Sequence, residues 1–133
     1  MNEGIEVIRL TVKGQSFMLH QIRKMVGMMV LVCKGTGIDK SIISKSFKNQ
    51  KISVPTAPAL GLLLEKCFFD HYNEKLGKTG GETKQILWEP TDDARQDFKM
   101  KYIYPKMVQE ELQGQEFSKW YTKIGTEHMD RLE

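Results

Sequence analysis

The sequence predicts an α+β fold, in which a small mixed or antiparallel sheet is packed by one long buried helix and followed by a C-terminal helical extension. Two short segments, Ile5–Val12 and Leu62–Phe69, are rich in β-branched and other apolar residues, which is typical of strands. Between them, Met25–Cys33 has no polar side chain and indicates a helix buried on every side. Apolar residues at helical spacing after Pro90 predict the extension.

Length and composition limit the class of protein. The chain has 133 residues, 40% of them hydrophobic, which suits one domain with a modest core. The first ten residues lack the uninterrupted apolar core of a secretory signal, and no apolar run reaches 18 residues. We therefore expect a soluble intracellular protein with no membrane partner. Cys33 and Cys67 lack the spacing of a zinc site or a redox pair and are expected to be buried.

Charge is distributed unevenly along the chain. Residues 1–50 contain eight Lys or Arg and three acids, a balance of +5, whereas the remaining residues contain twelve bases and fourteen acids, a balance of −2. A basic half that faces a polyanion would explain this difference. Scattered solvated lysines would explain it equally well.

The central helix is predicted to begin after Gly14, with Ser16 as its N-cap, and to end at Gly35. Its first turns mix apolar side chains with polar ones, so we expect one side of the helix to contact polar groups. Arg23 lies directly before the apolar run and would need an anionic partner, since an unpaired charge in a desolvated site is costly. The alternative is an Arg side chain that extends to solvent.

The segments that follow the central helix are shorter. Asp39 is predicted to cap a second helix that ends near residues 48–49, with a hydrophobic contact between Ile38 and Ile43. Residues 51–61 contain two prolines and no helical period, so they form a loop. Such a loop either presents a rigid backbone to a ligand or only connects two elements.

The rest of the chain divides into a loop and a helical extension. Residues 1–70 form the sheet-and-helix part, residues 71–90 a polar, glycine-rich flexible loop, and residues 91–133 the extension. Thr91 and Asp92 are predicted to cap a helix that Pro105 interrupts. A second helix over 116–124 carries an aromatic stripe, which is more typical of packing than of base stacking.

No residue set inside the chain forms a familiar catalytic unit. The sequence has no P-loop, dinucleotide fingerprint, HExxH motif or nucleophile elbow. Its histidines, His20, His71 and His128, are far apart, and no metal site is predicted. Only His20 lies beside a candidate site. Taken alone, the residues indicate a soluble α+β domain with a basic first half.

Two motifs carry a resemblance to a known family. FMLHQIRKMVG at residues 17–27, followed by VPTAPALGLLL at residues 54–64, resembles the C-terminal half of the TruA-type tRNA pseudouridine synthases in type, order and spacing. The tail, with YIYPK at 102–106 and FSKW at 117–120, looks like the extension of the eukaryotic branch. The resemblance implies half of a pseudouridine synthase fold and, from that branch, a nuclear location, with the mitochondrion as an alternative.

The resemblance also implies site residues. In this family an aspartate from the N-terminal half attacks the target uridine, which is isomerised to pseudouridine without a cofactor. Arg23 then takes the role of the partner of that aspartate, and Leu62 that of the apolar residue lining the uracil pocket. His20 and Lys24 are further candidates for substrate contact. By position, the candidate RNA-facing cations are Lys13, Lys24, Lys34, Lys40, Lys45 and Lys48.

The sequence departs from the family pattern in one respect. Neither the Arg-Thr-Asp-type motif that holds the nucleophile nor the active-site tyrosine of the family occurs in it. We therefore expect a C-terminal part that is inactive alone and whose partners are tRNA or other structured RNA and the missing N-terminal half. Self-association through open sheet edges is also expected. The alternatives are a non-catalytic RNA-binding or protein-interaction module, or a purely structural domain.

Overall fold

The computed structural model describes residues 6–35, 37–49, 52–79 and 84–124. These residues are largely helical, and none of their helices has both the length and the apolar composition to cross a bilayer. The helices are α1 (Gln21–Cys33), α2 (Ser41–Lys45), α3 (Asp70–Thr79), a 3-10 turn (Glu89–Thr91), α4 (Asp92–Phe98), a π-helical turn (Lys99–Ile103), α5 (Tyr104–Gly114) and α6 (Glu116–Lys123). The chain divides into a first unit, Met1–Leu60 with Glu111–Glu133, and a second unit, Gly61–Glu110.

The predicted sheet is absent from the described residues, so the α+β prediction is wrong for this part of the chain. Ile5 lies outside the described residues, and 6–12 and 62–69 run without helix or strand. A strand exists only where its backbone groups pair with a neighbour, and an alternating sequence cannot supply that neighbour. Both segments consequently expose apolar side chains, and Ile8 and Leu64 are each 80% exposed.

Helix α1 begins at Gln21, five residues later than the predicted cap at Ser16. A turn precedes it, because the Met18 N–H donates to Gln21 Oε1 over 2.8 Å and the Gln21 N–H donates to the Met18 carbonyl over 3.0 Å. His20 then takes a left-handed conformation with φ of 60°. The predicted end is confirmed, since Gly35 follows the last turn with φ of 71°.

Helix α1 is buried along one face only. Gly27, Met28 and Leu31 are buried, but Met25 and Met29 are close to half exposed. The prediction of burial on every side is therefore wrong, since the first unit covers only part of the apolar circumference. Cys33 and Cys67, which were also expected inside, are exposed.

The core of the first unit gathers residues from three helical segments. Its buried members are Met28, Leu31, Ile42 and Ile124. Trp120 of α6 packs against them, which confirms the predicted packing role of that aromatic residue. The Lys34 ammonium donates to the Tyr121 and Ile124 carbonyls, the latter over 2.8 Å, and lies 4.4 Å from the Tyr121 ring. Lys34 thus fixes the end of α6 beside the end of α1.

Helix α2 is shorter than predicted, with five residues. The N-cap position is held by Lys40 and not by Asp39 as predicted, but the Asp39 carboxylate still accepts the Ser41 N–H at the start of the helix. That hydrogen bond, assisted by the Ser41 hydroxyl and by the charges of Lys45 and Lys40, lowers the pKa of Asp39. The buried residue of α2 is Ile42, whereas Ile43 is 43% exposed, and the contact between Ile38 and Ile43 stays a prediction.

The second unit is held together by side-chain bonds to the backbone. Asn73 exchanges two hydrogen bonds of 2.9 Å with the Ile86 backbone, and the Trp88 indole N–H donates to the Cys67 carbonyl over 2.7 Å. Residues 71–79 of the predicted loop belong to α3, so the loop prediction is wrong for them, while its glycines at 80 and 81 lie outside the described residues. The predicted break at Pro105 is wrong. A π-helical turn precedes that proline, and helical conformation continues as α5.

Candidate functional site

Arg23 lies in the first turn of α1 and is half-buried. Its Nε–H donates to the Ala57 carbonyl over 2.6 Å. The Ala57 N–H donates in turn to the Arg23 carbonyl over 3.2 Å. This reciprocal pair of bonds ties the side chain and the backbone of Arg23 to the irregular segment that follows α2.

Segment 55–57 lies directly on α1. Pro55 and Ala57 are both buried, and Ala57 is only 3% exposed. One turn after Arg23, Gly27 faces the Pro55 carbonyl so closely that a Cβ at Gly27 would lie 1.8 Å from that oxygen. Glycine is therefore the residue that allows this segment to lie against the helix.

The guanidinium of Arg23 has no carboxylate of a described residue within ion-pair distance. The Ala57 carbonyl, which accepts from Nε, is neutral, and Nη1 and Nη2 have no acceptor within the described ranges. Segment 52–58 contains no titratable side chain. The expected anionic partner of Arg23 is thus not among the described residues.

The other predicted site residues fall in two places. His20 and Lys24 are exposed and flank Arg23, and the Lys24 N–H donates to the His20 carbonyl over 2.9 Å. The structure therefore brings His20, Arg23 and Lys24 together at the start of α1. Leu62 belongs to the second unit, follows Gly61 with its φ of 84°, and is 54% exposed.

Two residues of this site were not predicted from the sequence. Gly27 and Ala57 belong to the family motifs, but neither was assigned a role. A signal for Gly27 was present, because a glycine inside an apolar helix costs about 0.5–1 kcal/mol relative to alanine and therefore indicates a close backbone approach. No comparable signal marked Ala57, whose contribution is its backbone carbonyl.

The chemistry of the site is that of an anion receptor. A guanidinium held by one neutral carbonyl keeps its other donors for a carboxylate or a phosphate, either of which it can bind in a bidentate manner. Across the described ranges, no group of three His, Cys, Asp or Glu side chains is arranged to hold a metal ion.

Comparisons with known proteins point to one family. A family model described as tRNA pseudouridine synthase matches residues 1–70. The Mus musculus protein named Pseudouridylate synthase 1 homolog is 41% identical over 129 residues, which cover 93% of this chain and 29% of the relative. The Homo sapiens protein of that name is 39% identical over the same shares. The Candida albicans protein named tRNA pseudouridine synthase 1 is 50% identical over 109 residues, covering 82% of this chain and 17% of the relative.

These matches confirm the family that the two motifs predicted. They also show that the chain spans less than a third of the length of these relatives.

Proposed function

Because the chain belongs to the tRNA pseudouridine synthase family, we propose that it supplies Arg23 and part of the uridine site to an enzyme that isomerises uridine to pseudouridine in RNA. The observation that carries this proposal is the set of hydrogen bonds that the Arg23 guanidinium makes and leaves unmade. It is held through Nε by the Ala57 carbonyl, while Nη1 and Nη2 have no acceptor among the described residues. A nucleophilic aspartate from outside the described residues would complete the pair.

In this proposal, Arg23 keeps the nucleophilic carboxylate ionised and orients it. An adjacent guanidinium lowers the pKa of a carboxyl group, because the opposite charge stabilises the ionised form. It also orients both carboxylate oxygens, so that one of them can attack the target nucleotide. We also propose that Leu62, in the second unit, makes the apolar contact with uracil. No step of this scheme needs a metal ion or an organic cofactor.

The experiment that tests this function uses a hybrid synthase, in which residues 1–133 replace the matched segment of the mouse relative. Conversion of uridine in tRNA by the hybrid, and its loss on substitution of Arg23, would support the proposal. An active hybrid that is indifferent to Arg23 would contradict it. An inactive hybrid that still binds RNA would favour the alternative, a non-catalytic RNA-binding module.

A nuclear location stays a prediction.

Exposed cations of the first unit are proposed to bind RNA phosphates. Extruding a base from folded RNA costs a few kcal/mol, which phosphate contacts can offset. Lys24, Lys40, Lys45 and Lys48 are exposed. Lys34 is removed from this set, because its ammonium is bonded to the carbonyls at the end of α6.

Affinity for tRNA is expected to fall steeply as salt concentration rises. Replacing Lys40, Lys45 and Lys48 by glutamine should weaken binding and reduce the slope of log K against log salt by about 0.7–0.9 for each phosphate that the variant no longer neutralises. Filter binding at several salt concentrations measures both quantities. The matched control replaces Lys66, Lys101 and Lys106 of the second unit, with the same change in net charge. Equal reductions of affinity in the two triple variants would contradict the assigned surface.

Self-association is expected from the apolar segments that the described residues leave uncovered. Val7 and Ile8 are 70% and 80% exposed, and Leu64 is 80% exposed. Such extended apolar segments tend to pair with a second chain. Light scattering of the 133-residue chain should show dimers or larger species that diminish in an Ile8→Lys, Leu64→Lys variant. Phe47→Lys, at an 87% exposed position outside both segments, is the control. A strictly monomeric chain at high concentration would contradict the expectation.

A further inference from the structure

We propose that segment 55–57, seated on Gly27, is a positioning element that makes Arg23 receive its anion end-on, through Nη1 and Nη2. This inference rests on the proposed function, since it concerns the same guanidinium. It adds the direction in which the anion is bound and assigns the backbone that imposes that direction.

The direction follows from the donors that remain on the guanidinium. An arginine has two edges that can bind both oxygens of a carboxylate, a side edge formed by Nε and one Nη, and an end edge formed by Nη1 and Nη2. The Nε–H of Arg23 is already donated to the Ala57 carbonyl at 2.6 Å. The side edge is therefore occupied, and bidentate binding is left to the end edge.

The carbonyl that occupies Nε is itself held in place. The Ala57 N–H donates to the Arg23 carbonyl, so the segment is bonded to the same turn of α1 from both of its backbone groups. Ala57 is 3% exposed, and Pro55 is buried two residues earlier. Pro58 follows Ala57, and a proline restricts the backbone of the residue before it, which further limits movement of the acceptor.

Gly27 sets the distance between the segment and the helix. A Cβ at this position would lie 1.8 Å from the Pro55 oxygen and 2.8 Å from its carbonyl carbon. Both distances are shorter than real Cβ contacts, and both involve backbone atoms, so the segment would have to retreat. Retreat of Pro55 would draw the Ala57 carbonyl away from Nε, and the guanidinium would then be free to turn.

The test substitutes Gly27 in the hybrid synthase and compares chemistry with binding. Gly27→Ala should lower the single-turnover rate of uridine conversion by about 10- to 100-fold, because displacement of a reacting group by about 1 Å has effects of that size. Affinity for tRNA should stay within about twofold, since Gly27 is buried against the Pro55 backbone and does not lie at the surface. The control is Gly114→Ala, whose added Cβ would meet only the Glu116 side chain, at 3.7 Å. It should leave both quantities unchanged.

A double-mutant cycle separates positioning of Arg23 from general damage to the fold. If Gly27 acts through the guanidinium, adding Gly27→Ala to Arg23→Lys should lower the rate by less than about twofold, because contacting residues that share one role are not additive. An equal rate reduction from Gly27→Ala in both backgrounds would overturn the positioning role while leaving the function of Arg23 intact. A wild-type rate for Arg23→Lys alone would instead contradict the proposed function.

A second variant keeps the inference testable if Gly27→Ala does not fold. Ala57→Gly retains both backbone hydrogen-bonding groups but loosens the segment that carries them. It should lower the single-turnover rate by about threefold to tenfold at unchanged tRNA affinity. A wild-type rate for folded Ala57→Gly would count against the proposal.

Discussion

Replacement of Arg23 by lysine in the hybrid synthase is expected to lower the single-turnover rate by about 10- to 100-fold with the fold intact. The reduction corresponds to one hydrogen bond to a charged group, about 1.5–3 kcal/mol. A lysine ammonium is a point charge, so it cannot donate to the Ala57 carbonyl through one nitrogen and to both oxygens of a carboxylate through two others.

Arg23→Ala is expected to lower activity more than Arg23→Lys does. It would leave a partly buried carboxylate without its cation, at a cost of about 3–5 kcal/mol if the pair is fully desolvated. Such a carboxylate takes up a proton more readily, because removal of the opposite charge raises its pKa. Activity should therefore be partly regained as pH rises, whereas a purely structural defect would not depend on pH in this way.

Lys24 provides the matched control for these variants. It is adjacent to Arg23 and exposed, with its side chain in solvent. Lys24→Ala should weaken tRNA binding modestly and leave the single-turnover rate unchanged, and thermal unfolding should be similar for all three variants. If Arg23→Lys reacts at the wild-type rate, Arg23 has no part in the chemical step.

The helices were the better predicted part of the fold, for a physical reason. The hydrogen bonds of a helix lie within its own segment, so the glycine stop after α1, the Asp39 side chain at the start of α2 and the amphipathic stripe of α6 could be read from neighbouring residues. The sheet could not, because every strand needs a partner. Residues 6–12 and 62–69 have strand-like side chains without a strand in the described structure.

The candidate site was predictable to a similar extent. Arg23 could be singled out, because a cation beside an apolar helical run needs either an anionic partner or access to solvent. What holds Arg23 was beyond the sequence, because the acceptor is a backbone carbonyl 34 residues away. Any residue can offer such a carbonyl, and only the fold determines which one does. Gly27 marks the place where the two segments meet, but its meaning becomes clear only from its distance to Pro55.

The 133-residue chain by itself is expected to form no pseudouridine. In the proposed scheme the reaction needs a carboxylate beside Arg23, and the described aspartates are engaged elsewhere or lie beyond ion-pair distance. Asp39 accepts the Ser41 N–H, Asp92 pairs with Arg95, and Asp97 pairs with Lys101. Asp70 and Asp93 make no ion pair with Arg23, and Asp130 lies outside the described residues.

Chromatographic separation of the nucleosides from digested tRNA measures this, because pseudouridine and uridine have the same mass but can be separated. The active hybrid synthase is the positive control under the same conditions. The chain should give no product even at concentrations that saturate tRNA, because binding alone does not break the bond between base and sugar. Turnover by the isolated chain would mean that one of its own carboxylates reaches Arg23. The assignment of the nucleophile to a residue outside the chain would then be wrong, even though Arg23 could still be its partner.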